Sequence, residues 1–213
     1  MKEHALILRE HAVRSVLAGT KTQHRIAAPI ARFEIRDHDD GMVSWSVGFS
    51  KPMGKGRVNG SYSGGRFTHD QARAIVGSMF CPLGAIGDRL WIREPWAYGI
   101  HALAAQRDED GPFVYAASHS AQERLDHRWR PSITMPRFAS RIELEIASVR
   151  LERLHDISEA DAGAEGVRSN ANTTAETGHK DNRSAYAALW EHEHGAGSWD
   201  ATPWVWALAF RQI

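Results

Sequence analysis

The sequence has little cysteine and no long apolar segment. Cys81 is the single cysteine, so the chain offers no partner for an intrachain disulfide bond and no thiolate set for a zinc site. The N-terminal residues carry no apolar signal core, and no apolar run approaches the length of a membrane-spanning helix. We therefore expect a cytoplasmic protein in a reducing compartment, without a membrane partner.

The chain also lacks an excess of charge of either sign. Lys+Arg and Asp+Glu both number 26, so the formal net charge is zero. This balance argues against a protein that wraps long nucleic acid through bulk electrostatics, although it is compatible with a local basic pocket for one nucleotide. The sequence has 12 histidines, yet their spacing assembles no tetrahedral ligand set, and we expect no metal and no other cofactor.

The length favours one domain over two. The 213 residues contain no internal repeat, and we expect a single domain with insertions at about 50–66, 99–128 and 168–182. The first insertion is rich in glycine and basic residues, and the last is polar.

Apolar periodicity predicts more strands than helices. Helices are expected up to Gly19, from a capping box at Thr68 to about 80, over a short segment ending before Gly166, and from Ser184 to about 194. The predicted strands are 5–9, a hairpin within 33–49 with its turn at 39–41, 89–94, 113–115, 140–151 and an apolar C-terminal strand from 204. Without a regular βαβ rhythm, this order favours the α+β class with a partly closed barrel.

The segment 17–25 joins a helix end to a group of cations. Gly19 is the expected helix stop, and Lys21, His24 and Arg25 follow within six residues. One interpretation is that these cations complement the negative end of the helix dipole. The other is that a structured element holds them at the mouth of a site.

Five blocks, in order along the chain, resemble the ASCH-domain proteins found in phages and prophages. The blocks are 18–25 (AGTKTQHR), 87–94 (GDRLWIRE), 129–137 (WRPSITMPR), 158–167 (SEADAGAEGV) and 197–206 (GSWDATPWVW). The resemblance implies a PUA-like fold, a mixed β-barrel flanked by helices, with a cleft that accepts RNA or a modified nucleoside. Some members of the family are amidohydrolases that remove the acyl group from N4-acetylcytidine and related N4-acylcytosines.

The resemblance also implies catalytic residues. The family lysine corresponds to Lys21, and the family glutamate from the later short helix corresponds to Glu165. The position of the catalytic threonine holds His24, which cannot act as a hydroxyl nucleophile but can deprotonate water near neutral pH. A structural Lys21–Glu165 ion pair is the alternative interpretation of these two residues.

A site for a cytosine base also needs a flat wall and polar groups that bind its edge. Trp96 and Trp129 are the candidates for stacking. Candidates for hydrogen bonds to the base or a phosphate are Arg25, Arg93, Glu94 and Arg137. Glu94 shares a strand face with Leu90 and Ile92, so it lies either beside water at a barrel rim or in a site.

Three functions remain open from the sequence. The first is an amidohydrolase acting on N4-acylated cytosine nucleosides in a Lys/His/Glu cleft. The second is a non-catalytic module that binds RNA or a modified nucleoside, and the third is an ASCH-type ribonuclease. The expected partner is a small modified nucleoside or a short RNA.

Overall fold

The computed structural model describes residues 1–39, 43–49, 68–99, 113–120, 122–123, 127–168 and 179–213. The predicted hairpin turn at 39–41 lies mostly outside these residues, as do the insertion at 50–66 and most of the insertions at 99–128 and 168–182. None of the described helices is long and apolar enough to cross a membrane.

The described chain contains nine strands and four α-helices. The strands are β1 (Glu3–Ile7), β2 (Gln23–Ala27), β3 (Ile30–Asp37), β4 (Val43–Phe49), β5 (Arg89–Arg93), β6 (Trp96–Tyr98), β7 (Phe113–Tyr115), β8 (Glu143–Arg153) and β9 (Trp204–Gln212). The helices are α1 (Glu10–Leu17), α2 (His69–Phe80), α3 (Glu159–Ala164) and α4 (Asn182–His194). The predicted α+β class is confirmed.

The main sheet is mixed and has five strands in the order β1-β5-β8-β9-β2. The β1–β5 pair is parallel, and the other pairs are antiparallel. Strands β3–β4 and β6–β7 form two separate two-stranded sheets. In the part of the chain that is described, the end strands β1 and β2 are not paired with each other, so no closed barrel is formed there.

Strand β9 is apolar because helices or strands cover both of its faces. Trp206, Leu208 and Phe210 lie in the main core, together with α2 and the β3–β4 hairpin. Val205 points to the opposite face and joins a second core, formed with Tyr186 and Trp190 of α4. The predicted C-terminal strand is therefore an interior strand of the main sheet, since β9 pairs with β8 and β2.

Helix α2 lies directly on the backbone of β8. Its capping box is formed as predicted, since the Thr68 hydroxyl accepts from the Gln71 N–H and the Gln71 side chain accepts from the Thr68 N–H. A Cβ added at Gly77 would lie 2.8 Å from the Val149 carbonyl oxygen. This close approach fixes α2 on one face of the sheet and leaves the other face to α3 and α4.

Candidate functional site

A partly open cavity of about 180 Å³ lies between the first turn of α1, strand β2, the end of α3 and helix α4. We call it the inner cavity. Four of the predicted site residues line it: Lys21, His24, Arg25 and Glu165. The structure therefore brings together residues that are up to 144 positions apart in the sequence.

The turn after α1 holds Lys21 in place by backbone hydrogen bonds. Gly19 takes a left-handed conformation with φ of 69°, as the predicted helix stop requires. The Ser15 carbonyl then accepts from the N–H groups of both Thr20 and Lys21, at 2.9 Å each. A backbone bridge between Lys21 and Glu165 links this turn to the end of α3.

Glu165 is the anion at the centre of the site. Its carboxylate accepts from Lys21 Nζ at 2.5 Å through Oε2 and from the Arg25 guanidinium at 2.8 Å through Oε1. The Lys21 ammonium also donates to the Glu165 backbone carbonyl at 3.0 Å. Only 5% of Lys21 and 4% of Glu165 are exposed, so water screens this ion pair little.

A second layer of ion pairs lies on the same face of the sheet. In the strand register, Arg25 of β2 and Arg150 of β8 lie on either side of Ala207 of β9. Glu152 of β8 lies beside Val205, the second neighbour of Ala207 along β9. The Arg25 Nε donates to Glu152 at 2.8 Å, and the Arg150 Nε donates to the other oxygen of the same carboxylate at 2.6 Å. The small side chain of Ala207 between the two arginines leaves room for this contact.

Asp161 of α3 is the third carboxylate of the network, so that the number of carboxylates equals the number of cations. Its carboxylate accepts from Arg150 at 2.8 Å and from the Gln23 amide at 2.5 Å. The network thus contains three cations, at 21, 25 and 150, and three carboxylates, at 152, 161 and 165. The charges balance locally, which is what a buried ionic cluster requires.

The electrostatics keep Glu165 ionised. Burial raises the pKa of its carboxyl group, but the neighbouring cations, Lys21 above all, lower it by more, so the pKa lies below its ordinary value. In contrast, burial raises the pKa of the Tyr186 phenol well above its ordinary value. The inner cavity therefore contains an ionised carboxylate and a neutral phenol near pH 7.

His24 is neutral at pH 7. Burial, and after it the charge of Lys21, lower the pKa of its imidazole from 6.5 to about 4. The ring makes no hydrogen bond to any residue within the described ranges, and it is one of the groups that line the inner cavity. A neutral imidazole can accept a proton from a water molecule or a hydrogen bond from a ligand.

Acidification is expected to destabilise the protein through His24 as the pH falls from about 6.5 to about 4. The unfolded chain binds a proton at His24 near pH 6.5, whereas the folded protein binds it only near pH 4. Stability is therefore complete above pH 6.5 and is lost on acidification, by up to about 3 kcal/mol. Urea unfolding of the wild type and His24→Asn between pH 7.5 and 4.5 measures the loss, and parallel pH profiles for the two proteins would contradict it.

Helix α4 supplies cavity residues that sequence reasoning did not assign to the site. Tyr186, Leu189, Trp190 and Glu193 line the inner cavity at the spacing of one helix face. The buried Trp190 indole N–H has no hydrogen-bond partner among the described residues. The i, i+3, i+4, i+7 spacing was visible in the sequence, but it is equally typical of a helix that packs on a core, so the spacing alone did not indicate a site.

Three of the predicted substrate-binding residues lie away from the inner cavity. Trp96 is 2% exposed and packs in a small core with Met135 and Ala139. Glu94 is also buried and accepts two hydrogen bonds from Arg141, at 2.8 and 3.0 Å, which is how its charge is compensated on an apolar strand face. The Arg93 guanidinium stacks over the Trp91 ring, 4.5 Å from its centroid.

The other two predicted substrate-binding residues lie in surface clusters. The Trp129 ring packs edge-on against the rings of His119 and His127, with centroid distances of 5.7 and 5.4 Å. Arg137 pairs with Glu3 at 2.9 Å and with Glu143 at 2.7 Å. These hydrogen bonds raise the pKa of the Arg137 guanidinium, and neither Trp129 nor Arg137 lines the inner cavity.

No protein-family profile, curated protein or solved structure matches this chain. Among the residues that the structure describes, no group of three His, Cys, Asp or Glu side chains is arranged to hold a metal ion.

The groups of the inner cavity that can still bind a ligand are mainly hydrogen-bond donors. Glu165 occupies two of the three N–H donors of Lys21, and the third has no partner among the described residues. No side chain caps the N-terminus of α1, whose first turn contributes His11 and Ala12 to the cavity wall. Amide groups of a first turn have no partner inside the helix, so they suit a ligand oxygen that bears negative charge.

Proposed function

We propose that this protein is an ASCH-type amidohydrolase with a PUA-like fold that removes the acyl group from N4-acylated cytosines such as N4-acetylcytidine. One observation carries the proposal: a buried lysine, a neutral histidine and an ionised glutamate line one small cavity. The resemblance to the family implies the lysine at position 21 and the glutamate at position 165, while His24 stands where the family has its catalytic threonine.

The size of the inner cavity matches one six-membered ring. A cavity of about 150 Å³ accommodates one benzene ring, and the inner cavity measures about 180 Å³. Its apolar walls, which include Leu8, Leu189 and Trp190, are suitable for a planar base. The sugar of a nucleoside then has to lie outside the cavity.

Hydrolysis in this site begins with a water molecule. The water oxygen attacks the acyl carbon while neutral His24 takes one of its protons. The negative charge that develops on the acyl oxygen accepts hydrogen bonds from the remaining donor of Lys21 and from first-turn amides of α1. Glu165 acts as a positioning residue, because it holds the Lys21 ammonium by two hydrogen bonds.

The second half of the reaction breaks the C–N bond. The protonated His24 passes its proton to the leaving N4 nitrogen, so that the products are a free carboxylic acid and an unmodified cytosine. A conjugate acid with a pKa of about 4 gives up this proton readily. His24 thus replaces the threonine nucleophile of the family by a general base and acid, with water as the nucleophile.

Lys21→Met is expected to lower kcat/KM for N4-acetylcytidine by a factor of about 10²–10³, because it removes a donor to the oxyanion. The measurement is cytidine release, followed by chromatography at pH 7.5, with circular dichroism to verify folding. Lys180→Met, at an exposed lysine outside the site, is the matched control and should retain full turnover. Absence of turnover by the intact protein, or equal turnover by Lys21→Met, would overturn the proposal.

The second candidate is a non-catalytic module that binds a modified nucleoside. It is favoured by the low pKa of His24, about 4, because such an imidazole is a weak base for activating water. Under this hypothesis N4-acetylcytidine quenches the fluorescence of Trp190 without any release of cytidine. The same assay therefore separates the two candidates.

A further inference from the structure

A second, more open cavity adjoins the inner one. This outer groove has a volume of about 480 Å³ and is lined by residues 7–11, Arg14, Pro95 and Ser132, within the range of about 300–1,000 Å³ typical of small-molecule sites. Ile7, Leu8, Arg9 and His11 line both the inner cavity and the outer groove. A ligand whose ring fills the inner cavity can therefore extend past the start of α1 into the outer groove.

Two arginines give the outer groove its charge. The side chains of Arg9 and Arg14 are 58% and 51% exposed. Arg9 pairs with Glu193 at 3.2 Å, and Arg14 pairs with Glu10 at 3.4 Å. Exposed pairs of this kind contribute little to stability, so a stronger anion can compete for both arginines.

Arg14 is held in place while most of its donors remain available. Its Nε donates to the Ala117 carbonyl oxygen at 3.0 Å, which anchors the guanidinium beside the groove. Its second terminal nitrogen, NH1, has no hydrogen-bond partner within the described ranges. A planar guanidinium with free N–H groups matches the geometry of phosphate oxygens.

The remaining groups of the outer groove also favour an anion with a polar attachment. Helix α1 starts at this groove without a side-chain cap, so its positive dipole end adds to the two arginines. Ser132 also lines the groove and carries a hydroxyl group, and Pro95 contributes an apolar surface. Burial lowers the pKa of His11, so its ring is neutral near pH 7 and adds no cationic charge.

We propose that the outer groove is a phosphate subsite, and that the protein takes a cytidine mononucleotide in preference to the free nucleoside. The proposal rests on the proposed function only in assigning the acylated cytosine ring to the inner cavity. The groove is lined by two cations and one anion, Glu10, and Glu193 pairs with Arg9 from outside the groove. Two arginines that exchange these exposed carboxylates for a ligand suit one phosphate group and not a long polyanion.

The test is a binding measurement that needs no turnover. Cytidine 5′-monophosphate, cytidine and inorganic phosphate are titrated into the full chain by calorimetry at low salt. The monophosphate is expected to bind about tenfold more tightly than cytidine, because charge-assisted hydrogen bonds to the arginines are added. In Arg14→Gln this advantage should fall below about threefold.

Arg211→Gln is the matched control, since Arg211 is an exposed arginine that pairs with Glu145 and does not line either cavity. It should retain the full preference for the monophosphate. Equal affinity for cytidine and its monophosphate, or an unchanged preference in Arg14→Gln, would overturn the subsite. Tighter binding of a twelve-nucleotide RNA than of the monophosphate would also overturn it, in favour of a polynucleotide surface.

Binding and turnover measurements together distinguish a failure of the phosphate subsite from a failure of the amidohydrolase proposal. If the protein binds the monophosphate preferentially but releases no cytidine from N4-acetylcytidine or from its 5′-monophosphate, the phosphate subsite stands and the amidohydrolase does not. If it deacylates the nucleoside and its monophosphate with the same kcat/KM and binds both products equally, the amidohydrolase stands and the subsite does not.

Discussion

Glu165→Gln is expected to lower the free energy of unfolding by about 3–5 kcal/mol, the cost of breaking a buried ion pair by removing one partner. The glutamate carboxylate is the only partner of the buried Lys21 side chain among the described residues, apart from the backbone carbonyl of Glu165 itself. Glutamine has nearly the same shape, so the packing is preserved while the charge is lost. The network then retains three cations but only two carboxylates.

Urea unfolding at pH 7.5 measures this effect. The control is Glu145→Gln, because Glu145 pairs with the exposed Arg211 at 2.8 Å on the surface of the sheet. That substitution is expected to change stability by less than about 1 kcal/mol. A loss of less than about 1 kcal/mol in Glu165→Gln would show that the buried pair contributes no more than a surface pair.

A double-mutant cycle distinguishes the loss of charge from the loss of a side chain. Combining Lys21→Met with Glu165→Gln removes one cation and one anion and restores the balance of the network. The double variant is therefore expected to be more stable than the sum of the two single effects predicts, by about 1–3 kcal/mol. Strict additivity would contradict a direct coupling between the two side chains.

Gly166→Ala is expected to cost about 2–5 kcal/mol, the sum of backbone strain and overpacking. Gly166 follows Glu165 and has φ of 88°, a left-handed conformation that disfavours a side chain. A Cβ at this position would lie 2.7 Å from the Ser15 Cβ and 3.0 Å from the Lys21 Cβ. The turn after α3 therefore has to move away from α1, and Glu165 moves with it.

Gly19→Ala is the control for this substitution. Gly19 has φ of 69°, but a Cβ added there would meet nothing within 4 Å. It therefore carries the backbone strain alone, which is about 1–2 kcal/mol. Chemical denaturation of both variants compares the two costs directly, and equal costs would show that the contact between Gly166, Ser15 and Lys21 does not constrain the site.

Elements with a local signal could be predicted from the sequence. The capping box at Thr68, the glycine stop after α1 and the alternation of Ile142, Leu144 and Ile146 each predicted an element that the structure contains. Each signal depends on hydrogen bonds or on side-chain direction within a few residues, so no knowledge of the rest of the fold is needed.

Strand β2 was missed, and the reason is its composition. Gln23–Ala27 is mostly polar, so neither alternation nor an apolar run marks it as a strand. It forms because the distant strand β9 pairs with it, through contacts such as Arg25 with Ala207. Its polar side chains are then neutralised by carboxylates from β8 and α3, which no local pattern indicates.

For the predicted substrate-binding residues, too, a local pattern did not indicate where the tertiary structure places them. Trp96 and Glu94 carry chemistry that is useful in a site, but the structure buries one in an aromatic core and pairs the other with Arg141. The α4 residues that do line the inner cavity look in the sequence like an ordinary packing face. Residue type therefore indicated candidates, while packing decided which of them reach the cavity.

The cluster at 17–25 illustrates what each level of description contributes. The sequence alone determined that a helix ends at Gly19 and that cations follow it, because chain stereochemistry near a glycine is local. Only the tertiary structure decided that Lys21 and Arg25 share the Glu165 carboxylate at the wall of one cavity. Burial of charge depends on which distant groups surround it, so the protonation states of this site are a property of the fold and not of the segment.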